Sequence, residues 1–478
     1  MQPVTATLGF LLLSACSPKS SDSAIDRALD VAFPAPHPHL AESPWPISHA
    51  STHSQGSSPF PGPLSEDVRV NFIEVGLASV TLIPSPADTD GSIIAWGSTP
   101  TEVYRLRLDD IPQIVDRIPS GSGLSDLVGG AYTLLDADGV FTTVAGTTVR
   151  SFIETDSAIA LAAEWELPAP QPEESLRGLS LTYDGVRIVV SSLGRVVALS
   201  AELTLLSEVQ LPGEVSNSIA VDEDGGVYVV TSEALFRVQW TGAQLSLDPQ
   251  DGAWEASYET GGAEINPGRL GIGSGSTPSL MTVGEDKLVV ITDAQPLMHI
   301  AAFWRDAIPD GWTAVDGSDP RMAGLQPVRF GNPDAQSSVS EQSVLVMGNG
   351  AAVVNNDYGG LTGMEPVIAG VAPPGIERFS WNEEAKTLTS TWAIRDISCP
   401  NGIPTASSAT GLMYCIGKRD STWTLEAIDW LTGEPSFQVM LGSENQRYNS
   451  NYAATEIGPN GSILTGTLTG ALWIRPED

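Results

Sequence analysis

The chain has little positive charge. Only 23 of its 478 residues are Lys or Arg, against 58 Asp or Glu, so the formal net charge is −35 and the pI is near 4.2. A surface this negative repels phosphate backbones and anionic lipid headgroups, and we therefore expect no nucleic-acid partner. The same charge would attract cations, and it would keep an exported protein soluble.

Long apolar runs and familiar catalytic signatures are also missing. Beyond the N-terminus no apolar run reaches the length of about 18 residues that a membrane-spanning helix needs. The sequence contains no Gly-x-Ser-x-Gly elbow, no His-Glu-x-x-His pair and no phosphate-binding loop. The sequence therefore lacks the usual signatures of serine hydrolases, zinc proteases and P-loop nucleotide-binding proteins.

Cysteine is scarce, and the first of the three cysteines lies in a targeting signal. A short apolar core at 8–13 precedes Cys16, and residues 13–16 (Leu-Ser-Ala-Cys) match the lipobox, whose cysteine is acylated in bacterial lipoproteins. This predicts a signal peptide over 1–15, a lipidated Cys16 and a cell-envelope location, at the outer membrane or the periplasmic face rather than in the cytoplasm. Residues 1–7 contain no Lys or Arg, so a true start further upstream or a chance cysteine remains the alternative.

The other two cysteines, Cys399 and Cys415, lie sixteen positions apart with turn residues between them. Their number and spacing predict one disulfide between neighbouring strands in an oxidising compartment. Two buried free thiols are the alternative. A metal site would need more ligands than this pair supplies.

The segment 16–63 has the composition of a tether. Proline is frequent at 34–38 and 59–63, where it prevents ladder hydrogen bonding and helix continuation. His49 and His53 lie four residues apart, a spacing that could chelate a metal on a helix. Their Ser- and Pro-rich surroundings instead predict an extended tether between the lipid anchor and a folded domain over 64–478.

A repeat in this domain predicts an all-β fold. Each copy has an apolar run, a turn with Gly beside Asp or Asn, and a second run rich in β-branched residues, as in tight β-hairpins. The copies recur every 40 to 65 residues or so, which suits the four-stranded blade of a β-propeller. The turns lie at 88–91, 136–139, 184–185, 222–225, 284–286, 348–350, 410–411 and 459–461. We therefore predict eight blades, with seven or six as the alternatives.

The last repeat ends almost at the C-terminus, one strand short of a blade. The run at 68–75 has strand character but no blade of its own. We predict that this N-terminal strand completes the last blade, closes the ring and removes an open sheet edge.

Two stretches resemble the PQQ-repeat propellers of the quinoprotein-dehydrogenase-like superfamily. Residues 427–437 follow that family's Ala-x-Asp-x-x-Thr-Gly-x-x-x-Trp motif, with Phe437 in place of Trp, and the Pro-Trp-Pro at 44–46, within 44–58, is similar to the segment before its first blade. The resemblance implies a propeller. The family's dehydrogenases bind PQQ and calcium and many have adjacent cysteines, which are missing here, and no cofactor residue matches, so PQQ is not expected. Other members are non-catalytic scaffolds, including a lipoprotein of the outer-membrane β-barrel assembly machinery with a similar layout.

Several polar residues near strand ends are candidates for chemistry. Propellers of the lactonase type hold calcium in the channel with Asn, Asp and Glu, and the comparable residues here are Asn217, Glu341, Asn355, Asn356 and Asn451. All are also ordinary turn residues. The Asp-x-Asp-Gly sequences at 88, 136 and 222 lack the ligands of an EF-hand and are interpreted as hairpin turns.

A second candidate is an Asp–His pair. Asp293 and His299 lie at a strand exit, where the carboxylate could orient the imidazole as a general base. A separation of six residues does not fix a contact, and a structural histidine is the alternative. Arg305 and Asp306 follow the same strand and predict a surface ion pair.

The function therefore divides between two classes. The first is a non-enzymatic cell-envelope lipoprotein whose propeller binds a protein or glycan partner. The second is an enzyme, either a metal-dependent propeller hydrolase of the lactonase type or a quinoprotein-like oxidoreductase. The lack of catalytic motifs favours the first class, and a bound calcium ion would favour the second.

Overall fold

The computed structural model describes residues 27–477 except 78–79, 88–90, 121–130, 157, 263–268, 270, 316, 362–363, 401 and 451. The described chain is almost entirely β and forms eight sheets arranged as an eight-bladed propeller. In each blade the strands are antiparallel and follow one another from the channel outwards. The predicted fold class and blade number are confirmed.

The strand bounds, from the inner strand to the outer strand, are as follows. Blade 1 has Leu82–Pro84, Ile94–Ser98, Glu102–Arg107 and Gln113–Pro119. Blade 2 has Thr133–Leu135, Phe141–Ala145, Thr148–Thr155 and Ala158–Glu166. Blade 3 has Leu176–Leu181, Arg187–Ser191, Arg195–Leu199 and Leu205–Gln210. Blade 4 has Ala220–Val221, Gly226–Val230, Leu235–Trp240 and Leu245–Ser246, with Trp254–Ala256 added beside its third strand.

The remaining blades continue the pattern. Blade 5 has Ser279–Val283, Asp286–Thr292, His299–Trp304 and Met322–Pro327. Blade 6 has Leu345–Met347, Gly350–Val354, Pro374–Asn382 and Thr387–Ser398. Blade 7 has Thr405–Ser407, Leu412–Arg419, Thr422–Asp429 and Pro435–Gly442. Blade 8 has Thr455–Ile457, Ile463–Gly466, Ala471–Pro476 and, as its outer strand, Val68–Ile73. Short helices Glu365–Ala369 and Asn445–Tyr448 lie in loops.

Burial within a blade explains its sequence pattern. Inner and second strands such as Thr133–Leu135 and Phe141–Ala145 are buried along their whole length, because neighbouring blades cover both of their faces. The outer strand Leu205–Gln210 alternates between exposed and half-buried residues, since only one of its faces meets another blade. Apolar side chains of adjacent blades therefore form a hydrophobic cluster between each neighbouring pair of blades.

The Asp-x-Asp-Gly sequences at 136 and 222 form turns between the first and second strands of blades 2 and 4. The Asp136 Oδ1 accepts hydrogen bonds from the backbone N–H groups of Asp138 (3.0 Å) and Val140 (2.8 Å), and Gly139 has a φ of 78°. Asp222 and Gly225 repeat this arrangement. The predicted hairpin role is confirmed at 136 and 222, and residues 88–90 lie outside the described residues. We call the side of the propeller that carries these turns the turn face, and the opposite side the mouth face.

Ring closure follows the prediction. Val68–Ile73 pairs antiparallel with Ala471–Pro476, in a register that places Val68 opposite Pro476 and Ile73 opposite Ala471. The N-terminal strand thus supplies the fourth strand of blade 8 and leaves no open edge there. The predicted disulfide is also present: Cys399 and Cys415, both fully buried, are joined with their Cα atoms 5.6 Å apart.

Residues 27–39, which we call the strap, run across the turn face. The strap begins at blade 7, where the Arg27 guanidinium donates to Ser436 (2.8 Å) and the Leu29 N–H donates to the Ser408 carbonyl (2.8 Å). It ends between blades 3 and 2, where the Ala35 carbonyl accepts from the Tyr183 hydroxyl (3.1 Å). The chain then turns into the channel.

Residues 40–58, which we call the plug, fill the channel as a hairpin inserted from the turn face. The rising leg pairs with blade 2, since Ile47 bridges to Leu134 and the Ser48 N–H donates to the Thr133 carbonyl (3.0 Å). The descending leg offers backbone carbonyls to inner strands of blades 4, 5 and 6, and Ser57–Ser58 pairs in parallel with Thr405–Ser407 of blade 7.

The plug differs from the tether that composition predicted for 16–63. The physical reason lies in the inner strands, whose channel-facing N–H and C=O groups have no partner strand in an empty ring. The plug satisfies several of these groups with its backbone and with its serine hydroxyls. The Ser54 and Ser57 hydroxyls donate to the carbonyls of Ile219 (3.1 Å) and Val346 (2.6 Å), for example. No helix among the described residues is long and apolar enough to cross a membrane.

Candidate binding site at the mouth of the channel

The plug stops short of the mouth face and leaves a funnel of about 610 Å³ above its tip. Ser48 and His49 form the floor of the funnel. The loops that lead into the inner strands form the wall, because these loops converge on the axis at this face. Every blade contributes, through Thr81, Tyr132, Arg177, Asn217, Ile272, Gln342, Ile403 and Tyr452 in blade order.

His49 lies at the tip of the plug, where the chain reverses direction. Its φ of 67° and the φ of 74° at Ala50 fall in the left-handed region, which is uncommon for residues other than glycine. The side chain is 3% exposed, and neither ring nitrogen has a hydrogen-bond partner among the described residues. Burial lowers the pKa of His49 to about 4, so the imidazole is neutral at pH 7 and offers one donor and one acceptor.

Tyr132 lies beside this imidazole, and Arg177 lies near the Tyr132 phenol. The Tyr132 ring centroid is 6.2 Å from that of His49, and burial raises the pKa of the phenol. The Tyr132 hydroxyl reaches across the channel to the Thr277 side chain and the Ser218 backbone. Arg177 lines the same wall from the inner strand of blade 3 and is close enough to act on the phenol electrostatically.

The opposite wall holds a buried polar cluster around Glu341. Its carboxylate pairs with Arg269 at 3.4 Å, and both side chains are more than nine-tenths buried. The Asn356 amide lies behind it, where the oxygen accepts from the Glu341 N–H (2.8 Å) and the nitrogen donates to the Tyr358 hydroxyl (2.9 Å). Burial and the neighbouring Tyr358 hold the pKa of the Tyr452 phenol well above its usual value.

The structure separates most of the predicted calcium ligands. Asn217 and Glu341 line the funnel, and Asn356 has both amide atoms engaged in the cluster around Glu341. Asn355 lies on an exposed loop and donates to the Pro374 carbonyl (2.9 Å), while Asn451 lies outside the described residues. Within the described chain, no group of three or more His, Cys, Asp or Glu side chains could hold a metal ion. The calcium hypothesis thus retains Asn217 and Glu341 at the funnel.

The structure brings Asp293 and His299 together. The His299 Nδ1 lies 2.9 Å from the Asp293 Oδ2, and the His299 N–H donates to Oδ1 at 2.7 Å. Asp293 is buried, and the imidazole is 26% exposed, as an oriented base would be. The pair is not part of the funnel lining, but the Asp293 carbonyl accepts from Arg269 (2.9 Å) and so connects it to the cluster around Glu341.

His49 and His53 do not share a helix, and their side chains have different neighbours. His53 lies on the descending leg of the plug, with its Nε2 3.1 Å from Glu223 in the blade 4 turn. The hydrogen bond from His53 holds the pKa of Glu223 below its usual range. Glu223 also accepts from Arg305 (2.9 Å). The predicted pair between Arg305 and Asp306 is present at 3.5 Å, but the Arg305 side chain is fully buried, so its predicted surface position was wrong.

Sequence reasoning found Asn217 and Glu341 but missed His49, Tyr132, Arg177 and Arg269. Tyr132 immediately precedes an inner strand, and Asn217 lies shortly before one, but a phenol is not a typical calcium ligand, so the calcium pattern does not include Tyr132. The only sequence signal at His49 was its four-residue spacing from His53, which did not indicate this site, and a Ser- and Pro-rich segment looks the same in a tether and in a plug.

Together, the blades and the closing strand define an eight-bladed β-propeller with a plugged channel. No protein-family model matches the chain. The chain belongs to the same family as an uncharacterized protein of Archaeoglobus fulgidus, to which it is 38% identical over 491 residues, covering 96% of this chain and 94% of that protein.

Solved structures with a similar fold are distant. A streptogramin B lyase aligns with a TM-score of 0.42 at 10% identity, over 87% of this chain and 100% of the other. BamB from Moraxella catarrhalis aligns with a TM-score of 0.42 at 10% identity, over 70% of this chain and 93% of the other. The C-terminal WD40 domain of Sif2 aligns with a TM-score of 0.49 at 10% identity, over 87% of this chain and 100% of the other. Likenesses this distant carry no information about function.

Proposed function

We propose that this protein is an exported, lipid-anchored propeller of the cell envelope that binds a partner, protein rather than glycan, through its mouth face. The funnel carries the proposal, because all eight blades contribute to one concave surface. Aliphatic side chains such as Ile272, Met364 and Ile403 line it, and these suit the apolar side chains of a protein better than the hydroxyls of a sugar.

The course of the N-terminal segment supports an orientation for the anchored protein. Arg27 lies at the turn face, eleven positions after Cys16. Eleven residues span at most about 40 Å when fully extended. An acylated Cys16 would therefore hold the turn face towards the membrane and direct the mouth face away from it, where a partner can approach.

The buried disulfide supports export. Cys399 and Cys415 lie within the core between blades 6 and 7, and a disulfide there forms during folding in an oxidising compartment. The negative charge is consistent with a protein that stays soluble outside the cytoplasm, and it argues against nucleic acid as the partner.

Site-specific photo-crosslinking in the producing cells tests this proposal. A photoreactive amino acid at Glu214 or Met364 reports on the mouth face, and one at Phe60, which is 46% exposed on the turn face, is the matched control. We expect adducts at the first two positions and none at Phe60, and Cys16→Ser should release the protein from membranes. Adducts that form equally at Phe60, or that glycosidases but not proteases remove, would contradict the proposal.

A further inference from the structure

We infer that the funnel contains a binding site for a small organic acid with an apolar body, whose carboxylate pairs with Arg177 and accepts a hydrogen bond from the His49 imidazole. The site requires no macromolecular partner, so it does not depend on the function proposed above.

The first argument is the state of His49. A buried polar group without a hydrogen-bond partner is unfavourable, and here both ring nitrogens lack a partner among the described residues although the side chain is 3% exposed. The backbone adds strain, because His49 and Ala50 both have positive φ. Such a combination at the floor of a cavity is typical of a site that a ligand completes.

The charged residues of the funnel indicate that the ligand is negatively charged. Arg177 is the one Lys or Arg among the described lining residues, and it forms no ion pair with a described residue. Glu341 on the opposite wall is compensated by Arg269. Glu173 and Glu214 also line the funnel but are exposed at its rim, where solvent and salt screen them. A carboxylate that passes the rim therefore meets one uncompensated positive charge.

The lining and the volume of the funnel indicate that the rest of the ligand is apolar and small. Val80, Ile272, Met364 and Ile403 present aliphatic surface between the polar groups, and a volume of about 610 Å³ suits a molecule of small-ligand size. A neutral imidazole at the floor can donate to a carboxylate oxygen or accept from a hydroxyl.

Three probes with the same apolar body and different head groups test the site. Binding of octanoate, 1-octanol and octylamine to the purified full-length Cys16→Ser protein is measured by titration calorimetry at pH 7.5. We expect octanoate to bind about tenfold more tightly than octanol, and octylamine to bind most weakly. Because the imidazole stays neutral, this order should be unchanged between pH 6 and 8.

Variants assign the roles of the two residues. Arg177→Gln should remove the preference for octanoate over octanol, whereas Arg117→Gln, the same change on the exposed outer strand of blade 1, should leave it unchanged. His49→Leu should weaken both probes about fivefold, with a thermal melt to verify folding. Equal binding of octanoate and octanol by the native protein, or an unchanged preference in Arg177→Gln, would overturn the site.

The outcomes separate this site from the proposed function. Crosslinks at Glu214 and Met364 without octanoate binding would refute the small-ligand site and leave the partner proposal intact. Octanoate binding without crosslinks would support the small-ligand site and contradict the partner proposal.

Discussion

A chain that starts at residue 64 should fail to fold stably, whereas a chain that starts at residue 27 should give a cooperative unfolding transition. Both retain Val68–Ile73, so the ring can close in each. The shorter chain loses the plug and exposes the inner-strand backbone of blades 2, 4, 5, 6 and 7 to the channel. Unpaired strand edges are also sites of aggregation, so we expect insoluble or partly folded protein.

A point variant tests the same contribution without truncation. Trp45 is 1% exposed and packs against Leu412 and Tyr414 of blade 7, so Trp45→Ala should lower the free energy of unfolding by about 3 to 5 kcal/mol. Phe60→Ala, at an exposed position just after the plug, is the control and should cost less than about 1 kcal/mol. Urea denaturation measures both, and equal effects would mean that the plug does not contribute to stability.

The second large effect is expected at Arg305. Its guanidinium, with a fully buried side chain, lies 2.9 Å from Glu223 and 3.9 Å from Asp222, which is itself fully buried. Arg305→Ala should lower the free energy of unfolding by about 3 to 5 kcal/mol, because it leaves the Asp222 carboxylate buried with less compensating charge. The change also removes the cation that holds Glu223 against His53 of the plug.

The control for Arg305 is an exposed arginine. Arg69 lies 3.9 Å from Asp110, with side chains 54% and 85% exposed, and Arg69→Ala should cost less than about 1 kcal/mol. Denaturant titrations at two salt concentrations distinguish the two sites, since a buried network is screened far less than an exposed pair. A loss at Arg305 as small as that at Arg69 would show that Asp222 is solvated in the native protein.

The blades could be predicted from the sequence because their signals are local. Asp136 and Asp222 each accept hydrogen bonds from N–H groups of their own turn, so the Asp-x-Asp-Gly pattern at these two places predicts a hairpin without any distant contact. The closing strand was also predictable, because 68–75 has strand character without a blade and the last repeat lacks a strand. Both inferences need only short-range pattern and a count of strands.

The plug could not be predicted because its partners are distant in sequence. The Gln55 carbonyl accepts from Val346, and the Ser57 hydroxyl donates to the carbonyl of the same residue, across nearly 300 positions. Neither contact leaves an apolar period in the plug itself, so its composition matches that of a tether. The funnel was missed for the same reason, since its floor at His49 exists only when the plug is in place.

Hydrogen exchange of the native protein tests most directly whether the N-terminal segment fills the channel. The amides of Ala41 and Ser48 donate to carbonyls of the inner strand of blade 2, and the Gly56 amide donates to the His49 carbonyl within the plug. Peptides covering 40–58 should therefore exchange as slowly as those covering the inner strands. Complete exchange of 40–58 within seconds, while the inner strands remain protected, would mean that the segment is a tether and that the channel is open.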